Sequence, residues 1–247
     1  MTARSYLYRT AFAVGDKIGT LGFKDIIEND VTIHHEQYAQ YGAPLRLFNI
    51  SGNAPQTATS RDWPYDGSDL GYGVLGVVSN PNVTLATGVG QASEDMVGLL
   101  IVMINGSAVG HVRRISTWVS GTRVATCSRV WDPVPTAGDY YVLLVDCFRH
   151  NQLHVKGEII AGATNTLTFI PVFYDVPQDA AGSNARAPRR FEDQPLVLVS
   201  TGHGIGCTNA SGYHHLSTYS VLTRGALGAK LRVTAKDNSY QLWAGSA

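Results

Sequence analysis

Eight histidines, three cysteines and a few neighbouring carboxylates are the residues of this 247-residue chain with chemistry to offer, and their spacing limits what they do. A zinc site needs three or four Cys, His or carboxylate ligands converging on one point. His203 and Cys207 stand at i, i+4, which converges only on a helix, and Gly202-His-Gly-Ile-Gly206 does not read as one. The adjacent His214 and His215 point to opposite faces if they lie on a strand. His150 and His154 complete the set without improving it, so no metal and no cofactor is expected. If a metal were held, a histidine near a threefold axis would supply three ligands from one residue by symmetry.

The nucleotide and hydrolase motifs fare no better. Leu196–Ser200 followed by Gly202-His-Gly204-Ile-Gly206 imitates a strand feeding a dinucleotide loop, but the spacing departs from G-x-G-x-x-G and no helix follows. No G-x-S-x-G occurs. Glu94-Asp95 and Glu192-Asp193 are adjacent pairs at loop–strand junctions, where solvated charge is the ordinary reading; a glycosidase needs two carboxylates facing one another across about 5–9.5 Å. The chain is expected not to be an enzyme, with catalytic residues none. Arg186, Arg189 and Arg190, in a Pro/Ala-containing loop, are the candidate interaction residues: solvated charge is the ordinary reading of such a loop, and a docking loop that orders against nucleic acid or an acidic surface of an adjacent subunit is the sharper one. Tyr140, Tyr141, Tyr213 and Tyr219 suit a protein interface or a sugar-binding groove, with some of them core.

The surface that carries these residues is unusually poor in charge. Lys+Arg and Asp+Glu are both 19, so the formal net charge is zero, and charged residues make up 15% of the chain against a usual ~25%. A free monomer keeps its net charge away from zero for solubility. The balance therefore points to a surface partly covered by neighbours, and argues against a nucleic-acid binder, which shows a basic excess. Cys127, Cys147 and Cys207 are an odd number without close pairing. They read as free thilos in a reducing cytoplasm, although Cys127 and Cys147 fall in one predicted module and a bridge there stays open. The first residues are polar and do not resemble a signal peptide. Met96–Ile104 is the longest apolar run, far short of the ~20 residues of a membrane helix, so no membrane partner is expected. The four N-x-S/T sequons, at Asn49, Asn82, Asn105 and Asn209, then carry no meaning.

Strands must position whatever function there is. Between Pro81 and Val145, β-prone runs alternate with turn residues: Val83–Leu85, Met96–Ile104, His111–Val119, Thr122–Val130 and Tyr140–Val145. Asn105-Gly106 is a strong hairpin signal, Ser120-Gly121 a second turn, and Asp132-Pro133, Pro135 and Gly138-Asp139 close the third connection. Ser51–Gly71 is polar and turn-rich, a linker or long loop whose Trp63 and Tyr65 must dock on a neighbouring surface. Beyond residue 150, strands are expected at 155–161, 164–174, 195–200, 216–222, 230–235 and 240–243, with an edge position or bulge at Pro171. The fold class is thus all-β: an antiparallel module at 66–150, a C-terminal β-sandwich or jelly roll at 151–247, and a β-rich anchoring segment at 1–65.

Three motifs in the central module carry a resemblance. They are Gly110-His-Val-Arg113-Arg-Ile115, a Thr-rich strand from Gly121 that ends in Trp131, and Pro135-Thr-Ala-Gly138-Asp139-Tyr-Tyr141. In that order they resemble a module recurring in tailed-bacteriophage virion proteins, covering roughly a quarter of the chain; Gln is the more usual residue where His111 stands. The resemblance implies that Gly110, Arg113, Ile115, Trp131, Pro135, Gly138, Asp139 and Tyr141 are scaffold residues. It further implies a virion structural protein, assembled in the bacterial host cytoplasm, that binds major capsid, collar or tail proteins and copies of itself, by analogy as a homotrimer. Capsid decoration or a head or collar spike is the expected role. A tail or baseplate adaptor, or a receptor-binding protein contacting a host surface glycan, is the alternative. No specific nucleic acid is expected as partner.

Overall fold

The computed structural model describes residues 46–52, 60–90, 94–148, 150–160, 165–175, 179–180, 184–185, 187–200, 207–209, 212–236 and 239–247. The described residues hold strands and no helix, the all-β class that the alternating apolar pattern dictates. In chain order the strands are β1 (Phe48–Asn49), β2 (Arg61–Trp63), β3 (Gly73–Val74), β4 (Val78–Ser79), β5 (Asn82–Thr84), β6 (Leu100–Met103), β7 (Val112–Val119), β8 (Val124–Cys127), β9 (Tyr140–Asp146) and β10 (Gln152–Ile160). They continue as β11 (Asn165–Tyr174), β12 (Asp179–Ala180), β13 (Asn184–Ala185), β14 (Arg190–Glu192), β15 (Leu196–Ser200), β16 (Cys207–Asn209), β17 (Gly212–Leu222), β18 (Gly228–Lys236) and β19 (Ser239–Ser246).

Two antiparallel sheets hold nearly all of them. The smaller runs β1-β19-β10-β17-β16. The larger runs β14-β11-β18-β9-β6-β7-β8-β5-β4, with β15 on β11, β2 on β18 and β3 on β9. Side chains alternate across each strand, so every second residue faces the partner sheet. Leu153, Val155 and Ile159 of β10 and Tyr240, Leu242 and Ala244 of β19 meet Ile101, Leu143, Phe169, Leu231 and Val233 of the larger sheet in one buried cluster. The two antiparallel sheets thus share one buried core. The other face of the larger sheet carries its own buried apolar group, Leu100, Val102, Val142, Leu144, Val172, Tyr174 and Leu227. These central strands are apolar on both faces, which is why Tyr140–Val145 reads as a continuous apolar run.

Details differ from the sequence reading for physical reasons. β6 starts at Leu100, because Gly98 adopts φ +104° and turns the chain while Met96 and Leu99 stay buried. Asn105-Gly106 does open the β6–β7 connection, but the strands pair only through Val102↔Val112. The loop between them is therefore several residues long, and Gly110 N–H closes it on Met103 O at 2.8 Å. β7 is shared between neighbours: Val112–Arg114 pair with β6, then the register shifts between Ile115 and Thr117 and the strand continues on β8. Pro171 is not at an edge. It pairs with Leu231 on β18, and on its other side lies the gap between β15, which covers 165–169, and β14, which covers 172–174. A residue without an N–H fits that gap. The bulge itself sits earlier, between Thr168 and Phe169.

Within Ser51–Gly71, read as a linker or long loop, β2 pairs with β18, and Trp63 and Asp66 are buried. β9 and β18 pair at Ala229↔Val145, so the sheet runs without interruption across residue 150. The part of the β-rich anchoring segment before residue 46 lies outside the described residues, as do the connections at 161–164 and 237–238. Among the described residues no helix is long and apolar enough to cross a membrane.

Candidate functional site

Among the described residues, a group of buried, mutually bonded polar side chains sits inside the larger sheet. One edge of β9 is paired in three successive ways. Residues Tyr140 and Tyr141 pair with β3, and Val145 and Asp146 pair with β18. Between them the Leu143 N–H has no strand opposite, and Asp66 Oδ1 accepts it at 2.7 Å. A side chain thus takes the place of a missing strand. Lys230 Nζ lies 2.6 Å from Asp66 Oδ2, with both side chains fully buried, and donates to Pro64 O at 2.5 Å. The Tyr141 hydroxyl donates to Asp66 O at 2.9 Å and accepts the Ala86 N–H at 3.0 Å. Gly73 opposite Tyr141 is obligatory, since a Cβ there would stand 2.1 Å from Asp66 O and 2.4 Å from the Tyr141 ring.

Burial pushes the Asp66 carboxyl up to about 7, against the opposing pull of Lys230 and of the Leu143 amide. Burial, with Asp66 nearby, also raises the Tyr141 phenol above its ordinary value. The consequence for stability has a definite sign. With its folded value raised, Asp66 takes up a proton on folding between about pH 4 and 7, so its contribution is complete at the acid end and falls as pH rises through that window. Relative to an Asp66→Asn/Lys230→Met variant, which carries neither charge, the wild type is expected to lose stability with rising pH at up to about 1.4 kcal/mol per pH unit. Urea unfolding across the window measures it. A flat or rising difference contradicts the assignment.

The motif residues of the central module are brought together as packing and turn elements. Arg113 lies over the Trp131 ring, 5.1 Å from its centroid, and its Nε donates to Val130 O at 2.8 Å. Trp131 is buried, and its backbone N–H donates to Asn80 Oδ1 at 2.7 Å. Ile115 is buried at the β7 register shift, where its N–H meets Leu99 O. Asp139 Oδ2 accepts the Thr136 N–H at 2.8 Å, closing the turn that Pro135 opens and Gly138 completes at φ +99°. Gly106, at φ +74°, lets that carboxylate approach, for a Cβ there would fall 2.3 Å from it. Of the tyrosines, Tyr140 is exposed whereas Tyr141 is core. Tyr219 is half-buried with its hydroxyl on Val197 O, and the Tyr213 side chain lies outside the described residues.

The arginine loop is not an open basic patch where it is described. Arg189 grips Asp175 with Nε at 3.0 Å and an Nη at 2.7 Å. Arg190 and Arg232 both reach Glu192, and Arg232 also pairs with Asp62. Arg186 lies outside the described residues. The carboxylate pairs are likewise engaged: Asp95 accepts the Asn49 N–H at 2.9 Å, and Asp193 lies 3.6 Å from Arg224. His154 Nδ1 is 2.8 Å from Ser220 Oγ on the outer face of the smaller sheet. His150 is elsewhere, its carbonyl accepting from Thr223 Oγ1. The ladder sets Cys207 opposite His214, and His203 lies outside the described residues. Among the described residues no three His, Cys, Asp or Glu side chains gather as a metal site, and Cys127 and Cys147 are buried free thiols.

A second feature was missed by the sequence reading because no single segment shows it. At the end of the larger sheet where β9 begins, Val74 is the cross-strand partner of Tyr140, and Tyr72 stacks on Tyr140 with centroids 4.8 Å apart. Asn105 Oδ1 accepts the Tyr140 N–H, and Ser107 Oγ donates to Val134 O at 3.1 Å. Three separate segments thereby form one apolar, solvent-facing end. No family model matches this chain, and neither a curated protein nor a solved structure matches it.

Proposed function

We propose that the chain is a non-enzymatic structural protein of a tailed-phage particle, a capsid decoration or a head or collar spike that binds capsid neighbours and copies of itself. The observation that carries the reading is the solvent-facing apolar end of the larger sheet, built from Tyr72, Val74, Val134 and Tyr140. Protein interfaces are enriched in tyrosine and other aromatic residues at their centres and depleted of lysine and acidic groups. The module motifs add support of a different kind. Gly110, Arg113, Trp131, Gly138 and Asp139 serve turns and packing, as scaffold residues of a virion module would.

Mass spectrometry of gradient-banded particles from the encoding phage tests this. Peptides of this chain at a fixed ratio to the major capsid protein are expected. Abundance in infected cells with absence from banded particles overturns the proposal. The second reading, a tail or baseplate protein that contacts host glycan, draws on the stack of exposed Tyr140 on half-buried Tyr72, since aromatic faces suit sugar rings. Antibody labelling at the tail rather than the head, together with glycan-array binding that Tyr140→Ala removes, would select it.

A further inference from the structure

We propose that Lys230 and Asp66 condense in the folded chain to an isopeptide bond, a covalent cross-link between β18 and the loop that follows β2. The step needs no cofactor and no co-reactant. Nζ passes one proton to Oδ2, its freed lone pair adds to Cγ, and a second Nζ proton leaves with Oδ2 as water. The Nζ–Cγ bond forms, the Cγ–Oδ2 bond breaks, and the one hydrogen left on nitrogen is the amide N–H. The cross-link goes beyond the assembly role and does not depend on it.

Nζ stands 2.6 Å from Oδ2, and with one C–O bond of about 1.2 Å beyond it Cγ is at most ~3.8 Å away, near the ~3–3.5 Å of a reacting pair. Close as it is, Oδ2 takes part in no hydrogen bond, so the amine lies against the carboxyl outside the directions in which an N–H donates. Two residues along β18, Arg232 shows the contrast, with Nε and an Nη donating to the two carboxyl oxygens of Asp62. The Lys230 amine is oriented from its other side, where Nζ donates to Pro64 O at 2.5 Å, a bond that the N–H of the product keeps. Asp66 Oδ1 accepts the Leu143 N–H at 2.7 Å. Negative charge develops on that oxygen as the amine adds, and a fixed backbone donor aimed at it stabilises the oxyanion. Burial holds the Asp66 carboxyl up to about 7, which suits Oδ2 to take the first proton. Both side chains are fully buried, so the water that would hydrolyse the product is excluded. The fold also replaces a bimolecular encounter by a fixed one, an advantage on the order of 10⁵–10⁸ M when two groups are well oriented.

Intact mass spectrometry of the whole chain, followed by a tryptic map, is the test. Wild type is expected to weigh one water less than its sequence, with Lys230 uncleaved and peptide 225–232 joined through it to peptide 62–113. Lys230→Arg keeps the positive charge without an amine that condenses, and is expected at full mass. Asp66-Gly67 offers a second route to the same loss, closure to a succinimide. That loss would stay within 62–113, leave Lys230 open to trypsin and persist in Lys230→Arg. A folded wild type that keeps its full mass after days at neutral pH overturns the proposal, and so does a loss confined to 62–113. Should Lys230→Arg fail to fold, the wild-type peptide map decides by itself. The pH-dependent stability of the Asp66–Lys230 pair belongs to the unreacted chain, which its full mass identifies. Neither outcome touches the virion role, which banded particles test.

Discussion

Asp66→Ala is expected to bring the protein close to unfolding at pH 8, where the Asp66 carboxyl is ionised. The substitution removes the counterion of a fully buried ammonium, and breaking a buried pair by deleting one partner typically costs about 3–5 kcal/mol. It also strips the Leu143 N–H of its acceptor in the middle of β9, where an orphaned buried amide costs about 1–3 kcal/mol. The two losses overlap, so a combined effect of about 5 kcal/mol is a fair expectation against a total stability of about 5–15 kcal/mol. Lys230→Met separates the contributions. It leaves the Leu143 bond in place but strands the carboxylate, so its cost should be large above pH 7 and much smaller near pH 5, where Asp66 takes up a proton. Asp66→Asn/Lys230→Met should then cost less than Lys230→Met alone at pH 8, because the amide oxygen still faces Leu143 and no charge remains. Urea midpoints of the four proteins at both pH values measure the cycle. An Asp66→Ala loss below about 1.5 kcal/mol would mean that the pin contributes little beyond the hydrogen bonds of its neighbours.

That pin was beyond reach of the sequence, and the reason is instructive. Asp66 lies in Ser51–Gly71, whose composition is that of a loop, and nothing local distinguishes it from the exposed Asp69 three residues later. Its role follows from β3 and β18 both pairing with β9 and leaving one amide between them, a fact of topology separated from Asp66 by 77 positions. Lys230 likewise opens the strand expected at 230–235, a place where lysine is ordinarily exposed, yet it is fully buried. What was legible was local. β7 and β9 were found because period-2 alternation and continuous apolar runs act over a few residues, and the need of Trp63 and Tyr65 for cover follows from their size alone. The Arg189 and Arg190 loop read as free charge because Asp175, Glu192 and Asp62 come to it from other turns and strands. The apolar end was equally hidden: Leu70, Val134 and Tyr140 are unremarkable singly, and only the fold places their segments together.

Trp63→Ala is expected to be the second most damaging change, since Trp63 joins the two sheets. Its ring is fully buried in the shared core, in register with Leu231 on β18 of the larger sheet. Its Nε1–H donates at 2.8 Å to the hydroxyl of Tyr240 on β19 of the smaller sheet, and the two rings meet edge-on at 6.4 Å. Removing a buried Trp side chain costs about 3–5 kcal/mol in lost transfer energy and residual cavity. Here the Tyr240 hydroxyl is also left buried without its donor, adding part of a further 1–3 kcal/mol or so. For a protein of this size about 4 kcal/mol corresponds to a fall in Tm of roughly 8–16 °C. Trp63→Phe keeps most of the ring and loses the donor, and Tyr240→Phe orphans the Trp63 N–H, so each should cost about 1–3 kcal/mol. If the hydrogen bond is the link between sheets, the Trp63→Phe/Tyr240→Phe double variant should cost less than the sum of the singles, because neither polar group is then left unmet. Additive losses across that cycle would leave packing area alone as the clamp, and calorimetry of the three variants distinguishes the two.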